Sequence, residues 1–174
     1  PRLVEIFRRY PIQELIVHPR IRKDFYATPI RQEAFRYVAQ NIQHPLCYNG
    51  DLCNPDDIRT IQERYPNLSA VMIGRGLIGD PGMLIPGGTQ LSTLEAFHDA
   101  LLEEYSVVFG STRNAMFRLK ENWSYLLPRF EGSEKLGKAL RKTTDVAEYK
   151  RLTHQIFHTL QFRCEDHFFV DIFP

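Results

Sequence analysis

Three short apolar runs, each closed by a polar cluster, punctuate the first half of the chain. Leu15-Ile16-Val17 precedes His18-Pro19-Arg20, Leu46-Cys47-Tyr48 precedes Asn49-Gly50-Asp51, and Val71-Met72-Ile73 precedes Gly74-Arg75-Gly76. Runs this short, bounded by turn residues, predict strands buried on both faces. Helical patterns separate them. Residues 3–10 read as the end of one helix. Thr28-Pro29 predicts the start of the next, with the hydroxyl as cap and a proline where an N–H would go unsatisfied, and Ile30, Ala34, Val38 and Ile42 form its stripe. Asn54-Pro55 repeats the signal ahead of Ile58, Ile61 and Tyr65, with Asp56 and Asp57 at the positive end of the helix dipole. Asp80-Pro81 predicts a third, shorter helix.

The pattern changes after Pro86-Gly87-Gly88. Ser92 and Glu95 have the spacing of a capping box, followed by the stripe Leu94, Phe97, Leu101, Tyr105 and Val108 up to Gly110. A second helix carries Met116, Leu119, Trp123 and Leu126 and stops at Pro128. Leu136 and Leu140 predict a short third, and Thr144 caps a fourth holding Val146, Tyr149, Leu152, Ile156 and Leu160. The apolar tail Phe168–Pro174 is expected to dock rather than stay in solvent.

These elements predict an α/β chain: the C-terminal part of a TIM (β/α)8 barrel over residues 1–88, then an all-α helical bundle domain over residues 89–174. Polar groups at the same end of successive parallel strands are how such a barrel builds its site. Three strands are too few to close one, so association with another chain, or partial disorder, is expected at the open sheet edge. The chain opens on Pro1 rather than Met, inside the helical pattern Leu3, Ile6, Phe7 and Tyr10, and so reads as a fragment.

Composition narrows the class. With 43% hydrophobic and 25% charged residues the chain is an ordinary globular protein, and a net charge of +1 makes no global case for nucleic acid. No apolar run approaches a membrane span and no signal peptide is visible. Cys47, Cys53 and Cys164 form neither a disulfide framework nor a CxxC metal pattern, so no metal is expected and a reducing cytoplasm is the default.

The candidate chemistry lies at the strand ends. In Gly74-Arg75-Gly76, glycine permits close backbone approach and arginine offers a fork that matches phosphate oxygens; the alternative is an arginine paired to a carboxylate beside a plain turn. Asn49-Gly50-Asp51 is either a common turn or a ligand loop, and His18 either a structural histidine or a third group on the same rim. Arg20, Arg22 and Lys23 on the following loop would meet an anion or polyanion, or simply be solvated. Residues 110–163 hold eleven Lys and Arg against five Asp and Glu, an excess of six, Arg113, Arg118 and Lys120 among them. Such a surface either tracks a phosphate backbone or is a solvated helical face. Trp123 and Tyr125 are candidates for base stacking, although aromatics at helical spacing usually pack.

Together, His18-Pro19-Arg20 with Tyr26, Asn49-Gly50-Asp51, and Met72 through Pro81 resemble the tRNA-dihydrouridine synthase family; Phe117 through Trp123 to Phe130-Glu131-Gly132 looks like its helical domain. The resemblance implies an FMN enzyme, reduced by NADPH, that converts uridine to dihydrouridine in tRNA. It implies that His18 contacts the flavin, that Asn49, Gly50 and Asp51 form the flavin loop, and that Gly74 and Arg75 hold the phosphate. The cofactor would carry the hydride, and the target base would leave its stack to reach it. Arg20, Arg22, Arg113, Arg118 and Lys120 would face the RNA. Pro19 and Ile21 stand where the family often has glycine and threonine. The family's catalytic cysteine lies in strands upstream of residue 1, so this chain holds no catalytic residue and is expected to be inactive alone. Two other readings remain: an FMN barrel acting on a small molecule, of the dihydroorotate or enoate reductase type, and a non-catalytic RNA-binding module.

Overall fold

Three short parallel strands set up the N-terminal part of the chain. The computed structural model describes residues 2–24 and 28–163. A helix, α1 (Arg2–Phe7), leads into β1 (Leu15–Val17). A 3-10 turn (Arg22–Asp24) and α2 (Gln32–Asn41) then carry the chain to β2 (Leu46–Asn49), and α3 (Pro55–Arg64) carries it to β3 (Ala70–Met72). The strands lie in the order β1-β2-β3, all parallel, with Ile16 opposite Cys47 and Tyr48 opposite Val71. The short α4 (Arg75–Gly79) follows at once. Parallel register brings the C-terminal ends of all three strands side by side, which is what gathers their polar clusters.

Only β2 is buried on both faces. Leu46, Cys47 and Tyr48 are all buried, whereas Ile16 on β1 and Met72 on β3 are 46% and 40% exposed. The helices cover one face: Phe35 of α2 and Ile61 of α3 pack on Leu46, Tyr48 and Leu52, and Leu15, Val17 and Val71 join from the edge strands. Strand alternation turns Ile16 the other way.

The described residues form two compact units that divide between Gly76 and Leu77. Sequence composition changes later, at Gly88, but the stretch from Leu77 onward is tied into the second unit by Asp80. The carboxylate of Asp80 is buried against the Arg129 guanidinium at 2.6 Å and also accepts from the Thr89 hydroxyl. The second unit comprises α5 (Leu91–Val108), α6 (Thr112–Leu126), a 3-10 turn (Leu127–Arg129), α7 (Glu134–Lys142) and α8 (Val146–Thr159). Its core joins Leu94 and Leu102 of α5, Met116, Leu119 and Trp123 of α6, Leu140 of α7, and Tyr149, Leu152 and Ile156 of α8. The Trp123 Nε1–H donates to the Tyr149 hydroxyl at 3.0 Å, and the same hydroxyl lies 2.8 Å from His98 Nε2.

Several helix starts differ from the sequence expectation. Asn54 does cap α3, its side chain accepting from the Asp57 N–H at 2.8 Å while Asp57 accepts from the Asn54 N–H. The helix expected at Thr28-Pro29 begins instead at Gln32, since the Thr28 carbonyl, which would take the first helical N–H, accepts from Arg20. Asp80-Pro81 follows α4 rather than opening a helix. Ser92 lies inside α5, which starts after Gln90 without a side-chain cap, and Glu95 instead meets His158 at 2.9 Å. Asp145, not Thr144, caps α8. Tyr26, Cys164 and the apolar tail lie outside the described residues.

Candidate functional site

Of the strand-end residues, His18 follows β1, Asn49 ends β2, and Gly74 and Arg75 follow β3. They line one pocket of about 130 Å³ together with Asp51, Leu52, Cys53, Met72 and Gly76. One of the lining groups, the Asp51 carboxylate, joins two arginines. Arg75 donates to one of its oxygens at 2.8 Å and Arg20 donates to the other. Arg20 also donates to the Thr28 carbonyl, which draws it off the loop surface: its side chain is only 8% exposed. Two guanidinium groups therefore share the one carboxylate. Asp51 is the only described non-glycine residue at positive φ, 46°. Aspartate tolerates that backbone region better than most side chains.

Burial first, and then the same cations, set the state of His18. Burial, Arg20 and Arg75 all depress its pKa, and Asp51 only partly opposes them. The imidazole is therefore neutral at pH 7, with one donor and one acceptor nitrogen. Asn49 donates to the Met72 sulfur at 3.3 Å. A thioether is a weak acceptor, so a stronger ligand acceptor would displace it. Cys53 is half-buried, and burial together with Asp57 and Asp51 pushes its thiol up to about 11. Cys47 is buried in β2, and burial raises its thiol too. Neither is a thiolate nucleophile at neutral pH.

The glycines divide their roles. A side chain at Gly74 would meet nothing within 4 Å, so its face is open. A Cβ at Gly76 would lie 2.3 Å from the Leu52 carbonyl, so this glycine is what lets the turn after β3 close on the loop after β2. Gly50 is filled from behind by Ile30, 2.5 Å from where its Cβ would be, and does not line the pocket. Sequence reasoning passed over Cys53 and Met72 as pocket-lining groups. The Asn54 cap, which fixes the residue before it, was the available signal for Cys53.

The other cationic candidates are scattered. Arg22 is exposed on its 3-10 turn. On α6, Arg118 is exposed but paired with Glu121 at 2.8 Å. Lys120 reaches the end of α7, donating to the carbonyls of Arg141 at 3.4 Å and of Thr143, and burial lowers its pKa. Arg113 is exposed, with its guanidinium 5.6 Å from the centre of the Phe117 ring. Trp123 is wholly buried and has no face for a base. Among the described residues, no group of three or more His, Cys, Asp or Glu is placed to hold a metal, and no helix is long and apolar enough to cross a membrane.

A family model described as dihydrouridine synthase (Dus) matches residues 2–167. Among similar proteins, the tRNA-dihydrouridine(16) synthase of Shewanella oneidensis is 28% identical over 153 residues, covering 84% of this chain and 48% of that protein. A probable tRNA-dihydrouridine synthase of Rhizobium leguminosarum is 33% identical over 135 residues, covering 72% of this chain and 42% of the relative. For tRNA-dihydrouridine synthase B of Pasteurella multocida the identity is 24% over 140 residues, with 80% and 39% covered. The chain thus spans about half or less of the length of these relatives. With the family model running through both the strand-end pocket and the helices, the chain belongs to the dihydrouridine synthase family.

Proposed function

We propose that this chain is part of an FMN-dependent tRNA-dihydrouridine synthase, in which the three-stranded unit is the last part of a TIM barrel and holds the FMN phosphate while the helical unit binds tRNA. The observation that carries the reading is the convergence of Arg20, Arg75, His18 and Asn49 around Asp51 at the strand ends. Two guanidinium forks meeting at the strand ends match the oxygens of an anion such as phosphate. The pocket volume of about 130 Å³ suits a phosphate group, not a whole flavin, since pockets for complete cofactors run to roughly 300–1,000 Å³. Asp51 occupies the arginines as a monoanion, and a phosphate carrying more charge competes for them on favourable terms. Neutral His18 and the Asn49 amide supply donors and acceptors beside it. Bound there, FMN supplies the hydride chemistry that reduces uridine, with NADPH as its reductant.

Within this reading the enzyme is cytoplasmic; its substrate is tRNA, the molecule that the names of its relatives carry. Neither described cysteine suits the proton donor: Cys47 is buried, and the raised thiol of Cys53 is a poor acid at neutral pH. Turnover through either of these two cysteines is therefore not expected. A small-molecule FMN reductase would need no basic helical unit, and the excess of six positive charges over residues 110–163 favours RNA over that alternative. The test is the visible spectrum of the purified chain after FMN is added and free flavin is removed. Flavin absorbance retained by the chain and lost in Arg75→Ala supports the site; a colourless wild-type chain contradicts it.

A further inference from the structure

We propose that Phe117 on α6 is a stacking platform for an unpaired RNA base, with the phosphate backbone passing Arg113 and the basic end of α7 at Arg141 and Lys142. The inference rests on the reading of the helical unit as RNA-binding and says where, and by what chemistry, the grip is made.

The helix itself selects the stripe. Ala115, Met116, Leu119 and Trp123 of α6 are buried in the core, and positions 113, 117 and 120 follow the four- and three-residue steps of another face. Phe117 is 42% exposed. A single exposed phenylalanine is ordinary and by itself assigns nothing. What distinguishes this one is its company. Lys120 Nζ lies 5.0 Å from the ring centre and the Arg113 guanidinium 5.6 Å, both inside the cation–π range. Lys120 is fixed there by the carbonyls of Arg141 and Thr143, so the ring sits beside the end of α7. That last turn carries Arg141 and Lys142, both exposed.

Charge on this face is not cancelled in the way it is elsewhere on α6. Arg118 has Glu121, but among the described residues Arg113, Arg141 and Lys142 form no ion pair with a carboxylate. One carboxylate, Glu148, acts on Lys120 from α8, and it already accepts from the Thr143 hydroxyl at 2.5 Å. Two cations at one exposed aromatic ring, with two more on the adjoining last turn of α7, match a single-stranded segment of nucleic acid, whose bases stack on rings while its phosphates meet the cations. Every base offers a flat face, so this contact grips a loop without choosing its sequence.

The test uses the whole chain. Trp123 is its only tryptophan and is fully buried, so Phe117→Trp adds an exposed reporter whose signal stands apart. Titrating that variant with oligouridine and with unmodified tRNA is expected to quench the added indole to saturation, and a blunt RNA duplex is expected not to. Phe117→Ala is expected to weaken tRNA binding roughly tenfold without altering its salt dependence, since stacking carries no counterion release. Arg141→Gln should lower the salt slope by about one. A variant bound by tRNA without quenching, equal quenching by duplex, or wild-type affinity in Phe117→Ala overturns the platform while leaving RNA binding intact. A wild-type chain that does not bind tRNA overturns the platform and the RNA-binding reading together.

Discussion

Both units of this chain set an arginine on an aspartate, and they use the pair for opposite ends. In the helical unit Arg129 and Asp80 are 5% and 8% exposed, and the second oxygen of Asp80 is taken by the Thr89 hydroxyl. That pair is a closed link in the packing. In the three-stranded unit Asp51 is 37% exposed, carries two arginines and faces a pocket. Its pairs can be exchanged for a ligand's oxygens without burying a bare charge, because solvent reaches the carboxylate. The cores differ accordingly. The helical core packs four helices around Trp123 and Tyr149, whereas the strand core rests on Phe35, Leu46, Tyr48, Leu52 and Ile61. The sealed pair has no face left for a ligand, whereas the open pair has one.

The comparison breaks most sharply at Arg129. Arg129→Ala strands Asp80 as a buried unpaired charge, and losses for such changes run to about 3–5 kcal/mol. Urea unfolding followed by Trp123 fluorescence measures it; a loss below about 1 kcal/mol would show that the link is not sealed. Next comes Gly76→Ala, which sets a methyl group against the Leu52 carbonyl. We expect overpacking of about 1–3 kcal/mol, together with loss of the strand-end pocket. Protection of the Tyr48 and Leu52 amides in hydrogen exchange reports it, and an unchanged pattern would mean that the two loops do not need this approach. Asn54→Ala removes one α3 cap bond and should cost about 1 kcal/mol, read as faster exchange of the Asp57 and Ile58 amides at the start of α3.

The smallest effect depends on pH. Arg31, with help from the Ile21 N–H, holds the Asp24 carboxyl at about 2, below its ordinary 3.8. A depressed folded-state value means that the stability is fully present above 3.8 and is lost as the pH falls from there towards 2. Thermal unfolding at steps through this window should therefore show a steeper decline for the wild-type chain than for Asp24→Asn. Parallel curves would remove Asp24 from the account.

Much of the strand-end site was legible because its signals are local and the rule that assembles them is simple. Apolar runs ending in His18, Asn49 and Gly74-Arg75 become neighbours once the strands are parallel, and Asn54 caps a helix with a residue three positions away. The misplaced features depend on distant partners. Arg20 reads as a loop cation facing RNA, yet it is turned inward onto Asp51, 31 residues on. Lys120 reads as a surface charge, and its carbonyl acceptors lie at the end of another helix. Asp80 has the look of a helix start next to proline until Arg129 claims it. Trp123 shows the reverse: its helical spacing already favoured the core, and Tyr149 supplies the acceptor that lets an indole N–H be buried.

The central claim is that the Asp51–Arg75 cluster receives a phosphate. It is tested most directly by titrating the whole chain with FMN and with riboflavin, which differ only by that group, in wild type and in Arg75→Ala. The account predicts that wild type prefers FMN by roughly 10- to 100-fold, the worth of a charge-assisted hydrogen-bonded contact, and that Arg75→Ala erases most of the preference while affecting riboflavin little. Equal affinity of the wild-type chain for the two flavins, or a preference that survives Arg75→Ala, would contradict it.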